Sequence, residues 1–217
     1  MNTKHLDSLR DFWTAEKLDE AGRRVAASIS NEDQKKVDAG TSAINKILDG
    51  IPHQKDWRVL EIGCGFGRIV KPMCEIFDIV DGVDISETIL KRAKEYLCGL
   101  HGVGELRLNN GYDLQPAQDN TYNLVYSVLV FQHIRSASVI RSYLKETARV
   151  LKPEGYFRLQ VHKWKETFGH YDNESDKAIW GGNAYTEEEI TSLVADAGMT
   201  VVRVDTDGPH IWVTAQK

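Results

Sequence analysis

From Trp57 onward, short apolar runs alternate with amphipathic stretches. The runs are RVLEIG (58–63), DIVDGVD (78–84), ELRLNN (105–110), YNLVYSVLV (122–130), GYFRLQVH (155–162), TVVRVD (200–205) and HIWVTAQK (210–217). Between them, apolar positions recur three and four residues apart. Short strands separated by helices predict an α/β fold with a doubly wound, mainly parallel sheet, here of seven strands. The last two runs flank Asp207-Gly208-Pro209, a turn that would return the chain as an antiparallel last strand. The stretch SETILKRAKEYLCGL predicts a helix capped by Ser86, with Glu87 in its first turn and Ile89, Leu90, Ala93, Tyr96 and Leu97 on one face. SVIRSYLKETARVLKPEG predicts another, with Val139, Ile140, Tyr143, Leu144, Thr147, Ala148 and Leu151 inward and a stop at Pro153 and Gly155. Pro72 should weaken the helix after residue 67 unless that helix starts late.

Ahead of the strands, FWTAEKLDEAGRRVAASIS and TSAINKILDGI carry helical spacing, so residues 1–50 read as a helical prefix or lid before a core over 51–217. A chain of 217 residues suits a single domain with one large core. Residues 163–185 form a connection far longer than the roughly 2 to 6 residues usual in α/β units, which marks a candidate substrate loop.

Composition narrows the function. A net charge of −5 argues against a broad basic face for nucleic acid. Cys64, Cys74 and Cys98 form no CxxC pair, leave an odd thiol and suit a reducing compartment. The N-terminus MNTKHLDSLRDFW has no apolar signal region, and no run approaches the roughly 18 apolar residues of a membrane span, so the expected location is cytoplasmic. No sequence feature sets the oligomeric state.

The chemistry concentrates in VLEIGCGFGRIV (59–70), where Gly63, Gly65 and Gly67 alternate directly after a strand. Glycine there permits a tight turn and close ligand approach, and the following helix start offers unpaired N–H groups to an anion. A dinucleotide GxGxxG pattern would need glycine where Arg68 stands, which weakens an NAD reading without abolishing it. Asp84, 19 positions after Gly65, ends the next strand, where a carboxylate can accept both ribose hydroxyls of an adenosine-containing ligand. The plainer alternative makes the glycines a turn only and Asp84 a cap for the helix at Ser86.

VLEIGCGFGR, VDGVDIS and DNTYNLVYSVLVFQHI, followed by ETARVLKPEGYFRLQV, resemble the successive motifs of class I S-adenosylmethionine (SAM)-dependent methyltransferases, and the resemblance resumes in YTEEEITSLVADAGMTVV. It implies a Rossmann-like methyltransferase fold, SAM as cofactor and S-adenosylhomocysteine as product. It implies that Glu61, Gly63, Cys64, Gly65 and Gly67 form the turn under the amino acid part of SAM, with Glu61 ordering the turn or meeting the ammonium. Asp84 then takes the ribose and Ile85 packs on adenine. In NGYDLQP, Asp113 would meet the adenine amino group and the neighbouring Leu114 would offer an N–H to the ring. The family often has an acid where Asn123 stands. Ser127 to His133 would end the fourth strand where the methyl group meets the substrate, with Gln132 and His133 the well-placed polar pair. His133, with an ordinary pKa near 6.5, is the candidate general base; it could equally hydrogen-bond the substrate or cap a helix.

The acceptor is less constrained. The five prolines are followed by His, Met, Ala, Glu or His, so neither the D/N-P-P-Y/F nor the Pro-Cys signature of DNA-base methyltransferases is present. Phe12, Trp13, Trp164, Phe168, His170, Tyr171 and Trp180 are many aromatics for a prefix and a loop; they either line a pocket for a small organic acceptor or pin these segments to the core. His162 and His170 lack companions at metal-ligand spacing, so no metal is expected. The sequence reading is SAM-dependent methyl transfer to an O or N atom of a small molecule. A catalytically silent SAM-binding module and an NAD-binding Rossmann oxidoreductase are the alternatives.

Overall fold

Strands β1 (Arg58–Ile62) and β2 (Ile79–Asp84) each bury four consecutive residues, the burial pattern of parallel strands covered on both faces. The computed structural model describes residues 42–134, 136–164 and 183–217. They fall into two compact units, one ending at Asn109 and one beginning at Asn110. The predicted prefix lies outside the described residues up to position 41. A short helix α1 covers residues 42–48, with Ile44 and Ile47 buried, followed by buried Ile51.

In the first unit, β2 runs parallel to β1, pairing Arg58 with Ile79 and Ile62 with Val83. On the other side of β2 lies β3 (Val103–Leu108), also parallel. Asp81 is fully buried in β2, accepting from Arg58 Nε at 2.8 Å and from the Glu105 backbone N–H at 2.6 Å. A single carboxylate thereby ties three strands, and the close approach leaves no room for a Cβ at Gly104. After the glycines, the four-residue helix α2 (Val70–Met73) starts late enough that Pro72 falls in its first turn, where the missing N–H would be unsatisfied anyway. Helix α3 (Glu87–Tyr96) starts where expected, with Ser86 Oγ accepting from the Ile89 N–H at 3.3 Å. Its inward face is Ile89, Leu90, Ala93 and then Leu97. Tyr96 departs from the predicted face: it stays 39% exposed, with the Lys71 ammonium 4.8 Å from its ring centre.

In the second unit, β4 (Tyr122–Ser127) runs parallel to β5 (Leu151–Lys163). Antiparallel to β5 lies β8 (His210–Gln216), which in turn pairs antiparallel with β7 (Thr200–Asp207). The expected mainly parallel α/β arrangement with an antiparallel last strand is therefore observed. Helix α4 (Ala137–Val150) buries Val139, Ile140, Tyr143, Leu144, Thr147 and Ala148, and the chain passes directly into β5. Pro153 and Gly155 thus lie within a strand, not at a helix stop. The pairing of Tyr122 with Leu151 jumps to Leu124 with Tyr156, and Glu154 takes a φ of 64°. This bulge absorbs residues that a regular ladder cannot hold.

Two further boundaries differ from the sequence pattern. β4 ends at Ser127, and Val128 to Val130 turn away although they are apolar. The predicted loop over 163–185 ends in a two-residue strand, β6 (Ala184–Tyr185), paired with β5; residues 165–182 lie outside the described residues. Helix α5 (Glu187–Asp196) opens on a reciprocal cap between Thr186 and Glu189. Among the described residues no helix is long and apolar enough to cross a membrane.

Candidate functional site

The glycine turn of the first unit hangs from β2. The N–H groups of Gly63 and Cys64 both donate to Val83 O, at 2.8 and 3.0 Å. Gly65 and Gly67 then take φ values of 52° and 83°, which glycine adopts without strain. Their surroundings differ. A Cβ at Gly67 would lie 2.5 Å from Leu97 Cδ1, so this glycine lets α3 pack close, whereas a Cβ at Gly65 would meet nothing within 4 Å. The structure brings Gly65 and Asp84 together: the Gly65 N–H donates to Asp84 Oδ2 at 2.9 Å, and the Ser86 N–H donates to Oδ1 at 3.0 Å. The carboxylate is thus both a brace for the turn and the start of the helix cap. Burial raises its pKa above the ordinary aspartate value, and hydrogen bonds from the Ser86, Gly65 and Ile85 amides offset this only in part.

Glu61 on β1 is 3% exposed, and Ile85, just past β2, is half-buried. Cys64 is buried behind the turn, its sulfur 2.8 Å from where a Cβ on Gly82 would fall. Burial, then the charges of Asp84 and Glu61, push its thiol well above the usual range; Cys74 is pushed up to about 12, again mainly by burial. Both sulfurs are therefore held protonated and unreactive as nucleophiles.

In the second unit, Asn110 Oδ1 accepts from the Tyr112 and Asp113 amides at 3.0 Å each, and Asp113 Oδ1 accepts from the Gln115 amide at 3.0 Å. Leu114 is fully buried, and its N–H donates to Glu146 Oε2 at 3.0 Å. That amide already has a protein acceptor. Glu146 is itself gripped by Arg149 through two contacts of 2.7 and 2.8 Å, which hold its carboxyl below the usual range. Ser127 closes β4 with no exposure. Phe131–His133 form one 3₁₀ turn in which His133 is buried, its Nε2 3.4 Å from Gln132 Nε2.

Two residues absent from the sequence reading converge on this turn. Gln160 Oε1 accepts from the Leu129 N–H at 3.0 Å, and Asn183 Nδ2 donates to Ile134 O at 2.9 Å. The available signal for Gln160 was its place at alternate polar positions with Arg158 and His162 in GYFRLQVH; Asn183 carried none. His162 stands against His210, ring centres 5.0 Å apart, and burial lowers the pKa of both. His170 lies outside the described residues. Among the described residues, no three His, Cys, Asp or Glu side chains group as a metal site would require.

Residues 60–159 match the family model described as "Methyltransferase domain". Among curated relatives, the Neurospora crassa sterol 24-C-methyltransferase erg-4 is 30% identical over 124 residues, covering 56% of this chain and 31% of that protein. The Bradyrhizobium diazoefficiens ubiquinone biosynthesis O-methyltransferase is 31% identical over 110 residues, covering 50% and 42%. The Escherichia coli cyclopropane-fatty-acyl-phospholipid synthase is 30% identical over 143 residues, covering 65% and 36%. The matches span only a third to two fifths of the length of these relatives. Among solved structures, a SAM-dependent methyltransferase from Aquifex aeolicus matches with a TM-score of 0.64 at 20% identity, covering 89% of this chain and 97% of that one. A complex of the Haloferax volcanii Trm112 methyltransferase activator with its methyltransferase matches at 0.67 and 19%, covering 88% and 95%. Over residues 60–159 the chain is similar to methyltransferase domains, its fold is the one seen in SAM-dependent methyltransferases, and SAM is the cofactor that this similarity implies.

Proposed function

We propose that the chain is a SAM-dependent methyltransferase that moves the methyl group to an oxygen or nitrogen atom of a small organic acceptor. The carrying observation is the pairing of Gly65, open on its Cα side, with Asp84. The Gly65 and Ser86 N–H groups bond opposite oxygens of Asp84, and the Ile85 amide adds a third hydrogen bond. A carboxylate has about four lone-pair sites, so about one is left for a ribose hydroxyl, and the residues fit the ligand. Glu61, Gly63, Cys64 and Gly67 would complete the turn, and Ile85 would pack on the adenine. By resemblance alone, Asp113 and Ser127 join the cofactor set, and Leu114 does so only by a contact other than its N–H, which donates to Glu146. The small-molecule reading draws support from the relatives' names, which refer to a sterol, ubiquinone biosynthesis and a fatty-acyl phospholipid.

When bound, SAM supplies a methyl group on a positively charged sulfur already activated for departure. The protein's work is then alignment and exclusion of water. An amine acceptor needs only to be held neutral. A hydroxyl acceptor must shed its proton as its oxygen bonds to the methyl carbon, and His133 is the side chain proposed to receive it.

The test is incubation with methyl-labelled SAM and fractions of a small-molecule extract, reading S-adenosylhomocysteine release and label in an organic product. The expected result is release dependent on one fraction, with the label on O or N. Tight SAM binding with no release in any fraction would favour the silent binding module, and label on carbon would overturn the acceptor assignment.

A further inference from the structure

The turn after β4 is held at both ends by side-chain amides from distant parts of the second unit. Gln160 on β5 accepts from the Leu129 N–H, and Asn183 donates to Ile134 O. Both are buried, at 6% and 8% exposure. Leu129 has a φ of 61°, a left-handed backbone that a branched side chain rarely adopts. Such a conformation persists only where its surroundings over-determine it, and it concentrates at functional sites.

Between the clamps, Phe131 is fully buried, its ring centre 5.9 Å from that of Tyr143. Next to it, Gln132 Nε2 lies 3.4 Å from His133 Nε2, while Gln132 Oε1 is buried with no hydrogen-bond partner. A buried polar atom left unpaired costs free energy unless a ligand or water satisfies it. One end of the Gln132 amide therefore meets the histidine ring and the other is left for something else.

We propose that Gln160 and Asn183 are positioning residues. They fix the turn so that Gln132 and His133 act as one unit, with Gln132 Oε1 receiving an O–H or N–H from the methyl acceptor. The identity of that ligand rests on the methyl-transfer reading; the clamping of the turn does not. Leu159 and Val161 lie on the opposite face of β5, whereas Gln160 shares its face with Arg158 and His162.

The test compares Gln160→Met with Gln160→Glu in the full chain, following amide hydrogen exchange at residues 129–134, the imidazole proton resonances of His133, and SAM binding. Removing the acceptor for the Leu129 amide should speed its exchange about tenfold, the scale of one hydrogen bond, and shift the His133 resonances. The Glu variant keeps an acceptor oxygen and should restore both, with SAM affinity within about twofold of the parent throughout. In the extract assay, S-adenosylhomocysteine release should fall with Met and recover with Glu. Unchanged exchange and resonances would overturn the clamp, as would a uniform loss of protection across β4 and β5 with no excess at 129–134. Should Gln160→Met fail to fold, Asn183→Leu tests the Ile134 end with the same readouts. Absence of SAM binding by the parent protein would sink the methyl-transfer reading, while the exchange data would still decide the clamp.

Discussion

The glycine turn of the first unit and the turn after β4 in the second both hold left-handed backbone, by opposite means. Gly65 and Gly67 adopt it because they lack a Cβ, and a nearby carboxylate only braces the result. Leu129 adopts it against its own preference, held by amides 31 residues downstream of Leu129 and 49 downstream of Ile134. The first device rests on the glycines themselves; the second depends on two distant side chains at once. This division suits a protein that binds an invariant cofactor at one turn and a particular acceptor at another.

The largest expected effect lies at the second turn. His133→Ala should slow methyl transfer to a hydroxyl acceptor by about a hundredfold, a low value for general-base catalysis, with SAM affinity unchanged by calorimetry. Unaltered turnover would remove the base role and leave His133 as a partner of Gln132.

At the first turn, Asp84→Ala should weaken SAM binding by about 1 to 3 kcal/mol, the scale of charge-assisted hydrogen bonds. The same carboxylate sets a pH dependence. Because its pKa is raised in the folded protein, mainly by burial, it takes up a proton at higher pH than an ordinary aspartate. Ribose hydroxyls donate to the ionised form, so SAM affinity is full above that pKa and declines as pH falls through it. Calorimetry across pH should show the decline begin above the ordinary aspartate range, and Asp84→Asn should abolish this dependence.

Smaller still, Gly67→Ala should destabilise the fold by about 1 to 2 kcal/mol, from the left-handed penalty and the contact with Leu97, as read from urea unfolding. Gly65→Ala pays the same backbone penalty but meets no atom, so its excess effect should fall on SAM affinity. Equal stability losses with no difference in affinity would erase the distinction between the two glycines.

What the sequence disclosed follows the same division. β1, β2, the α3 cap and the proximity of Asp84 to the glycines were legible because strand runs, caps and glycine spacing are local signals. Asp81 was not: a carboxylate in an apolar run gives no sign of an arginine on the neighbouring strand. The bulge at Pro153 was misread as a helix stop because proline and glycine punctuate both. β6 and the clamping amides escaped because their partners are distant in sequence.

The most direct test of the central claim is calorimetric titration of the protein with SAM, S-adenosylhomocysteine and NAD in parallel. Binding of the first two, with no heat from NAD, is the expected result. Binding of NAD alone would contradict the assignment of Gly65 and Asp84 and turn attention to hydride transfer.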